Sequence, residues 1–384
     1  MIEVIELKRD RRSLKKFIRF AWDVYRGDPN FVPPLVADQL KALMGVNNAL
    51  FDKGEQAFLM AYDAGKPRAR LLVGINDQLN RVKGYQQGYI SLFECENDQL
   101  AADAILDAAA HWLKARGMSR MVGPESYTYD DFGKGMLCEG FDGPPVLFNP
   151  YNPAYYNDLF ARYGFVKQQD HYAYYLEVKD FDREKYRRID AYAREKFGYR
   201  VDALDLAHHF EREVRDITAV LSTGMPDLLD QLAPPTEDDI RAEAKMLREM
   251  ADQQMVFLAR VGDKPIGFLL AMPDYNQILR RMNGSMVSPA LIDFLKERRR
   301  AEGKRVGGKL IDGIRVIVLF VVPEYKNTAA TGAMMLRLYD AALRRGYRWG
   351  EASTVDERNV YSLNSVEKAG AKKYRTYRVY EKEI

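Results

Sequence analysis

The pattern of apolar and polar residues repeats once along the chain. Segments 57–80 and 256–278 each consist of an apolar strand pattern, a short turn with Gly, Lys and Pro, and a second apolar strand pattern. Phe58 and Phe257 hold equivalent places in the two first strands. Because two apolar runs joined by a short Gly/Pro turn are typical of an antiparallel hairpin, we predict one hairpin in each half.

The repeat continues downstream of both hairpins. β-Branched and aromatic residues predict strands at 88–98 and 314–324. A helical spacing of apolar residues follows each strand, at about 98–116 and 331–345, and both helical patterns end in arginine and glycine. Both halves therefore carry the same order of hairpin, strand and long helix.

A third pair of segments completes the repeat. Residues 152–178 and 359–383 each begin near an asparagine, pass through a short helical pattern to a glycine and end in a tyrosine-rich strand. Chance similarity between two α+β segments is the alternative, but three segments in the same order favour a duplication. The sequence therefore predicts an α+β fold built twice, with a mixed, twisted sheet in each copy.

The two copies divide near residue 180. A charged helix predicted at about 183–197 leads from the last strand of the first copy to the first strand of the second. A length of 384 residues is also typical of two domains. We predict an N-terminal domain over residues 1–180 and a C-terminal domain over residues 181–384.

Composition excludes several classes of protein. A hydrophobic fraction of 47% and a net charge of +3 fit a globular protein and give no general case for a nucleic-acid binder. Two cysteines exclude a disulfide scaffold and fit a cytoplasmic location. The longest strongly apolar run, Val316–Val322, is far shorter than the roughly 20 residues that span a bilayer. His and Cys show no metal-ligand spacing, so we expect no metal.

Two motifs in the second half carry a family resemblance. The stretch VVPEYKNTAATGAMML at 321–336 matches the strand–loop–helix pattern V-x-P-x-Y-[RK], and Asn359 and Gly370 stand eleven positions apart. Together they resemble the GNAT acyltransferase superfamily, whose element order each half repeats. The resemblance implies two tandem GNAT folds and the use of acetyl-coenzyme A or a longer acyl-coenzyme A.

The whole chain is also similar to a group of bacterial proteins with two GNAT-like halves. The stretches that carry this similarity are 26–35, 93–118 and 141–156. The resemblance implies a fold and an acyl-transfer chemistry, but no particular substrate.

The resemblance places the acyl-coenzyme A at the second-half loop, where free N–H groups at a helix start suit a diphosphate. The residues implied to bind it are Val321, Val322, Lys326, Asn327, Thr328, Ala329, Ala330, Thr331, Gly332 and Asn359. The family's usual glycines are replaced at Asn327, Ala329 and Thr331, so a loop that kept the turn and lost the ligand is the alternative. In the first half, Glu94, Glu96 and Asp98 occupy this place and would repel a diphosphate.

The catalytic candidates also come from the family pattern. A carboxylate near the fourth and fifth strands often serves as base, and Glu351 at the end of a predicted strand is the best match; a solvated strand-end carboxylate is the alternative. The family's usual tyrosine acid falls on Val366 here. Tyr361 is therefore a substitute candidate for the acid, with Tyr374 another.

The first half supplies the candidate acceptor site. Segment 123–160 is long, aromatic and rich in Gly and Pro, which is typical of a binding loop but also of packing between two halves. The residues expected to meet an amine acceptor are Tyr127, Tyr129, Asp130, Tyr151 and Tyr155. A basic stretch at 296–305 could be a solvated face, or could meet coenzyme A, an acidic carrier protein or RNA.

These features predict an N-acyltransferase that moves an acyl group from acyl-coenzyme A to the amine of a small molecule or peptide. One alternative is a non-catalytic binding or regulatory protein that kept only the fold. The other is a transferase that takes aminoacyl groups from tRNA. The sequence carries no signal for the oligomeric state.

Overall fold

The structure is a computed structural model that describes residues 2–46, 48–128, 134–223, 236–238, 240–241, 244–245, 251–301 and 310–384. In these residues the strands are β1 (Ile2–Leu7), β2 (Gln56–Asp63), β3 (Lys66–Ile75), β4 (Gln87–Cys95), β5 (Arg120–Glu125), β6 (Met136–Glu139), β7 (Val166–Glu177), β8 (Tyr199–Ala203), β9 (Val256–Val261), β10 (Lys264–Pro273), β11 (Gly313–Val321), β12 (Trp349–Asp356) and β13 (Lys372–Glu383). The helices are α1 (Arg11–Val24), α2 (Val36–Leu43), α3 (Asp77–Lys83), α4 (Gln99–Lys114), α5 (Tyr155–Tyr163), α6 (Arg183–Phe197), α7 (Phe210–Leu221), α8 (Asn276–Met282), α9 (Ala290–Ala301), α10 (Ala330–Arg345) and α11 (Val360–Lys368).

The described strands form one mixed sheet in the order β1-β2-β3-β4-β5-β13-β7-β12-β11-β10-β9-β8, and β6 pairs with β13. The predicted hairpins are the antiparallel pairs β2/β3 and β9/β10. The strands after the hairpins, β4 and β11, pair in parallel with β5 and β12. The predicted α+β fold, with the same order of elements in both halves, is confirmed.

The last strand of each half lies among the strands of the other half. Strand β13 inserts between β5 and β7, and β7 inserts between β13 and β12. The two strands have 12 residues each and pair antiparallel with each other. The sequence predicted a separate sheet for each half. The structure instead joins them, because β7 and β13 pair with each other over nine positions. The domain division near residue 180 stays a prediction.

Helices cover both faces of the first-half sheet. Alternate residues of β2 point to opposite faces, as in any strand. Leu59 and Ala61 pack in a core with α4, whereas Phe58 and Met60 pack in a core with α1 and α2. In the second half, α10 packs against α6 and the sheet, and α7 packs against β10. None of the helices in the described ranges is both long and apolar enough to cross a membrane.

An irregular segment of the first half reaches the second half. It follows β6, and Leu147 within it belongs to the hydrophobic core of the second half. The buried Arg375 of β13 holds the start of this segment through the carbonyl oxygens of Gly140, Asp142 and Gly143, at 2.7–3.0 Å. This segment therefore places first-half side chains beside strands β11 and β12.

Candidate functional site

A gap opens between β11 and β12 in the second half. The two parallel strands pair from Gly313, opposite Trp349, to Val316, opposite Ala352, and then separate. Beyond Val316, none of the described strands pairs with this edge of β11. The next residues of β11 are only partly buried. The gap therefore exposes a strand edge with N–H and C=O groups that a ligand can use.

The start of helix α10 lies after this open strand. A single turn at Pro323–Tyr325 and a left-handed residue, Ala329 (φ 62°), lead the chain from β11 into α10. Within the described part of the chain, no side chain caps the helix N-terminus. The first N–H groups of a helix and its dipole favour an anion. Of the predicted cofactor residues, Val321 ends β11 and Val322 follows it, and both are buried. Residues 326–332 form the loop after the turn and the first residues of α10.

Tyr361 contacts this loop, and Asn359 caps the helix that carries Tyr361. The Tyr361 hydroxyl donates to the Lys326 carbonyl oxygen at 2.7 Å and lies 2.8 Å from the Thr331 hydroxyl oxygen. The Asn359 side chain accepts a hydrogen bond from the Ser362 N–H and caps α11. In this geometry Tyr361 fixes the loop, because its proton is already donated to a backbone carbonyl. Its predicted role as catalytic acid stays a prediction.

Glu351 lies in β12 next to the point where the two strands part. Its side chain is fully buried. One carboxylate oxygen accepts hydrogen bonds from the Asn149 amide, at 2.6 Å, and from the Ser353 hydroxyl. The other accepts a hydrogen bond from the Tyr374 hydroxyl. Burial and the neighbouring carboxylate raise the pKa of Tyr374, so this phenol keeps its proton.

A buried arginine completes the group around Glu351. Arg315 lies opposite Glu351 in the strand register, and its guanidinium donates to the Ser353 hydroxyl at 2.9 Å and to the Leu147 carbonyl at 2.6 Å. The N–H of the same Leu147 donates to Asp274 at 2.9 Å. Burial raises the pKa of Asp274 to about 7. The site therefore joins two carboxylates, one of which changes charge near neutral pH.

The corresponding place in the first half is occupied by the protein's own side chains. Asp98 caps α4 by accepting hydrogen bonds from its first N–H groups at 3.0 and 3.4 Å. The Tyr156 hydroxyl accepts a hydrogen bond from the Cys95 N–H at 2.8 Å and donates to Glu94 at 2.8 Å. The Tyr155 hydroxyl donates to the Cys95 carbonyl at 2.7 Å. Among the described residues, the first N–H groups of α4 and the backbone groups of Cys95 therefore already have partners within the protein.

Two clefts lie where the first half meets helix α8. One, of about 460 Å³, is lined by Trp22, Tyr25, Arg26, Gly27, Asp28, Pro29, Phe31, Pro33, Arg280, Arg281 and Asn283. The other, of about 340 Å³, is lined by Pro144, Pro145, Asp274, Asn276, Gln277, Arg280, Arg281 and Leu310. They share two arginines, and Asp274 joins the second cleft to the group around Glu351. Their volumes fit small-molecule binding.

The predicted acceptor residues fall in different places. The Tyr151 hydroxyl donates to Asp28, which lines the larger cleft, at 2.7 Å. Tyr127 packs in the first-half core with α1 and α2, and Tyr155 binds the backbone of β4. Tyr129 and Asp130 lie outside the described residues. Of the three members of this set that the structure describes, Tyr151 is the one that contacts a residue lining either of these two clefts.

Sequence reasoning missed Asn149, Arg315 and Asp274. Arg315 left a signal, because it is a charged residue inside an otherwise apolar strand pattern. Asn149 left none, since it comes from an irregular segment 202 residues before Glu351. Among the described residues, no group of three or more His, Cys, Asp or Glu side chains is placed to hold a metal ion.

Comparison with known proteins gives relatives over the whole length. The chain is 28% identical over 380 residues to a protein described as bacterial ceramide synthase from Caulobacter vibrioides, covering 97% of this chain and 95% of that protein. It is 26% identical over 381 residues to the protein YghO of Escherichia coli, covering 98% and 94%. No family model matches the chain.

Solved structures show the same architecture. A tandem GNAT protein from the clavulanic acid biosynthesis pathway superposes with a TM-score of 0.55 at 10% identity, over 100% of this chain and 98% of that chain. A GCN5-related N-acetyltransferase from Sphaerobacter thermophilus superposes with a TM-score of 0.53 at 10% identity, over 100% and 95%. The chain has the tandem GNAT fold, as its motifs predicted.

Proposed function

We propose that the chain is an N-acyltransferase that transfers a fatty acyl group from acyl-coenzyme A to the amine of a long-chain amino alcohol. The observation that carries this proposal is the uncapped N-terminus of α10 after the open edge of β11, with buried Glu351 where the strands part. The similar protein described as ceramide synthase supports the acceptor class. A ceramide is the amide of a fatty acid and a long-chain amino alcohol.

The donor fits the second half in two ways. The first N–H groups of α10 and the Lys326 ammonium suit the diphosphate of coenzyme A. The open edge of β11 beyond Val316 offers backbone groups to the amides of the pantetheine arm. In the first half, Asp98 already accepts a hydrogen bond from an N–H group at the start of α4, and Tyr155 and Tyr156 already bond to the Cys95 backbone at the end of β4. We therefore assign one donor site to each chain.

Acyl transfer needs a neutral amine and a place for its proton. The amine nitrogen bonds to the thioester carbon, the carbon–sulfur bond breaks, and the proton lost by nitrogen finally reaches the thiolate. We assign the transient proton to Glu351. Because Glu351 is fully buried and Tyr374 is partly exposed, the proton passes through the Tyr374 hydroxyl, which already donates to Glu351.

The clefts between the halves suit the acceptor. Trp22, Tyr25 and Phe31 offer apolar surface, and the carboxylates of Asp28 and Asp274 can meet an ammonium group. The guanidinium groups of Arg280 and Arg281 can donate hydrogen bonds to hydroxyl groups. A cytoplasmic location belongs to the same proposal, because acyl-coenzyme A is a cytoplasmic substrate.

The test is product formation by the purified full chain. Sphinganine and palmitoyl-coenzyme A are incubated with the protein, and the amide is measured by mass spectrometry beside thiol release. Acetyl-coenzyme A and a short amino alcohol serve as matched substrates. We expect the long-chain amide, and a loss of turnover of roughly a hundredfold in Glu351→Gln with acyl-coenzyme A binding retained.

Two results would count against the proposal. Binding of acyl-coenzyme A without any amide product would favour the non-catalytic alternative. Equal turnover with the short substrates would contradict the proposal that the acceptor is a long-chain amino alcohol.

A further inference from the structure

Helix α9 and the loop before it carry apolar side chains on the outside of the protein. Val287, at the apex of the loop, is 95% exposed, and Met286 beside it is 41% exposed. On the helix, Ile292 is 59% exposed and Leu295 is 47% exposed. These residues form what we call the α9 patch. Large aliphatic side chains with this exposure, grouped within ten residues, mark an interaction surface.

The side chains of the α9 patch are not needed to complete the hydrophobic core. Leu291 and Phe294 of the same helix already pack against the second-half core. The loop is also fixed: the Val287 N–H donates to the Ser285 hydroxyl at 3.1 Å, and the Gly284 carbonyl accepts from the Val36 N–H at 3.0 Å. The backbone therefore holds the apolar loop tip away from the protein.

Positive charge surrounds the same surface. Residues 276–301 contain six arginines or lysines and two carboxylates, and the whole chain has a net charge of only +3. Of the two carboxylates, Asp293 pairs with Arg281 at 3.0 Å, and Glu297 is buried and accepts from the Leu310 N–H. The exposed Lys296 and Arg299 share the outer face of α9 with Ile292 and Leu295, because Lys296 lies four residues after Ile292 and Arg299 lies four residues after Leu295.

We propose that the α9 patch docks the protein on an anionic lipid bilayer. The cationic side chains attract the anionic headgroups, and the aliphatic side chains enter the boundary between the headgroups and the acyl chains. A bilayer therefore binds both the charged and the apolar parts of this surface. RNA would use the cations but not the apolar tip. A second copy of the chain would place this cationic surface against itself. The proposal does not depend on the acyl-transfer reaction.

Docking in this way would bring a cleft to the lipid surface. Arg280 and Arg281 belong both to the cationic surroundings of the α9 patch and to the lining of both clefts. Leu310, 39% exposed, lines the smaller cleft. A long-chain substrate in the bilayer would then reach the cleft without crossing water.

The test is co-sedimentation of the full chain with vesicles of phosphatidylcholine alone and of phosphatidylcholine mixed with phosphatidylglycerol. One variant removes the apolar tip (Met286→Ser with Val287→Ser), and another neutralises the helix (Lys296→Gln with Arg299→Gln). Matched controls change exposed residues elsewhere, Leu100→Ser and Lys15→Gln with Arg19→Gln. Circular dichroism and thermal unfolding establish that each variant is folded.

We expect binding only to the mixed vesicles, with binding that weakens as salt is added. Each patch variant should lower the bound fraction roughly tenfold, whereas the controls bind as the unchanged chain does. No binding, equal binding to both vesicle types, or unchanged binding by the patch variants would overturn the proposal. The proposal would also be overturned if the unchanged chain bound no vesicles and the patch variants lost self-association or RNA retention instead.

Discussion

The Asn149 amide donates a 2.6 Å hydrogen bond to Glu351, although 202 residues separate them in the chain. Both side chains are buried, and each comes from a different half. The bond links the irregular segment after β6 to the strand that borders the gap in the second half. The candidate catalytic carboxylate is therefore positioned by a side chain of the first half.

Removing this amide should destabilise the protein. In Asn149→Ala, Glu351 loses one of its three hydrogen-bond donors inside the core. We expect the free energy of unfolding to fall by about 1–3 kcal/mol, the usual cost of leaving a buried polar group without a partner. Urea unfolding measures this change. Asn364→Ala, at an exposed position of α11, is the control. Equal stability of Asn149→Ala and the unchanged chain would contradict the assigned contact.

Asp274 should make stability depend on pH. Its pKa is raised from the usual 3.8 to about 7 by burial, so between these values the folded state binds more protons than the unfolded state. Stability should therefore fall as pH rises from about 4 to about 7 and then level off. Asp274→Asn removes this contribution, which amounts to at most about 4 kcal/mol.

Urea unfolding of the unchanged chain and of Asp274→Asn at pH 5 and pH 8 tests this expectation. The difference between the two proteins cancels the titration of other groups, including the buried His171, whose pKa is lowered to about 4. We expect the asparagine variant to gain stability relative to the unchanged chain at the higher pH. A difference that does not change with pH would contradict the raised pKa.

The first-half helix cap should matter for stability and not for donor binding. Asp98→Ala removes the acceptor of two N–H groups at the start of α4. We expect a loss of about 1 kcal/mol in the free energy of unfolding, typical of a lost N-cap. Acyl-coenzyme A affinity, measured by calorimetry on the same variant, should stay unchanged. A second molecule of ligand bound by the variant would mean that only Asp98 closes the first-half site.

The repeated elements could be predicted from the sequence because local patterns specify them. The helix predicted at 331–345 is Ala330–Arg345, and both predicted hairpins form. Strand β7 begins at Val166, before the tyrosine-rich stretch that the sequence predicts as a strand. The earlier residues are polar, and they fit a central strand because Asp170 pairs with Arg378 of β13 at 2.7 Å. That partner is 208 residues away, so no local pattern could reveal it.

The candidate site was predictable only in part for the same reason. Glu351 and the residues around Lys326 belong to one continuous repeat unit and could be found from motifs. The exchange of β7 and β13 and the path of the segment that carries Asn149 depend on contacts between the halves. The contacts of Tyr155 and Tyr156 with the Cys95 backbone also needed the structure, since these residues are 60 and 61 positions apart from Cys95 along the chain.

The central claim is that the second half alone holds the acyl-coenzyme A. Calorimetric titration of the full chain with palmitoyl-coenzyme A, beside Lys326→Glu and the matched control Lys114→Glu, tests it most directly. We predict one site per chain, an affinity at least about tenfold weaker in Lys326→Glu because a carboxylate then faces the diphosphate, and no change in the control. Two sites per chain, or equal affinity in Lys326→Glu and the unchanged chain, would contradict the account.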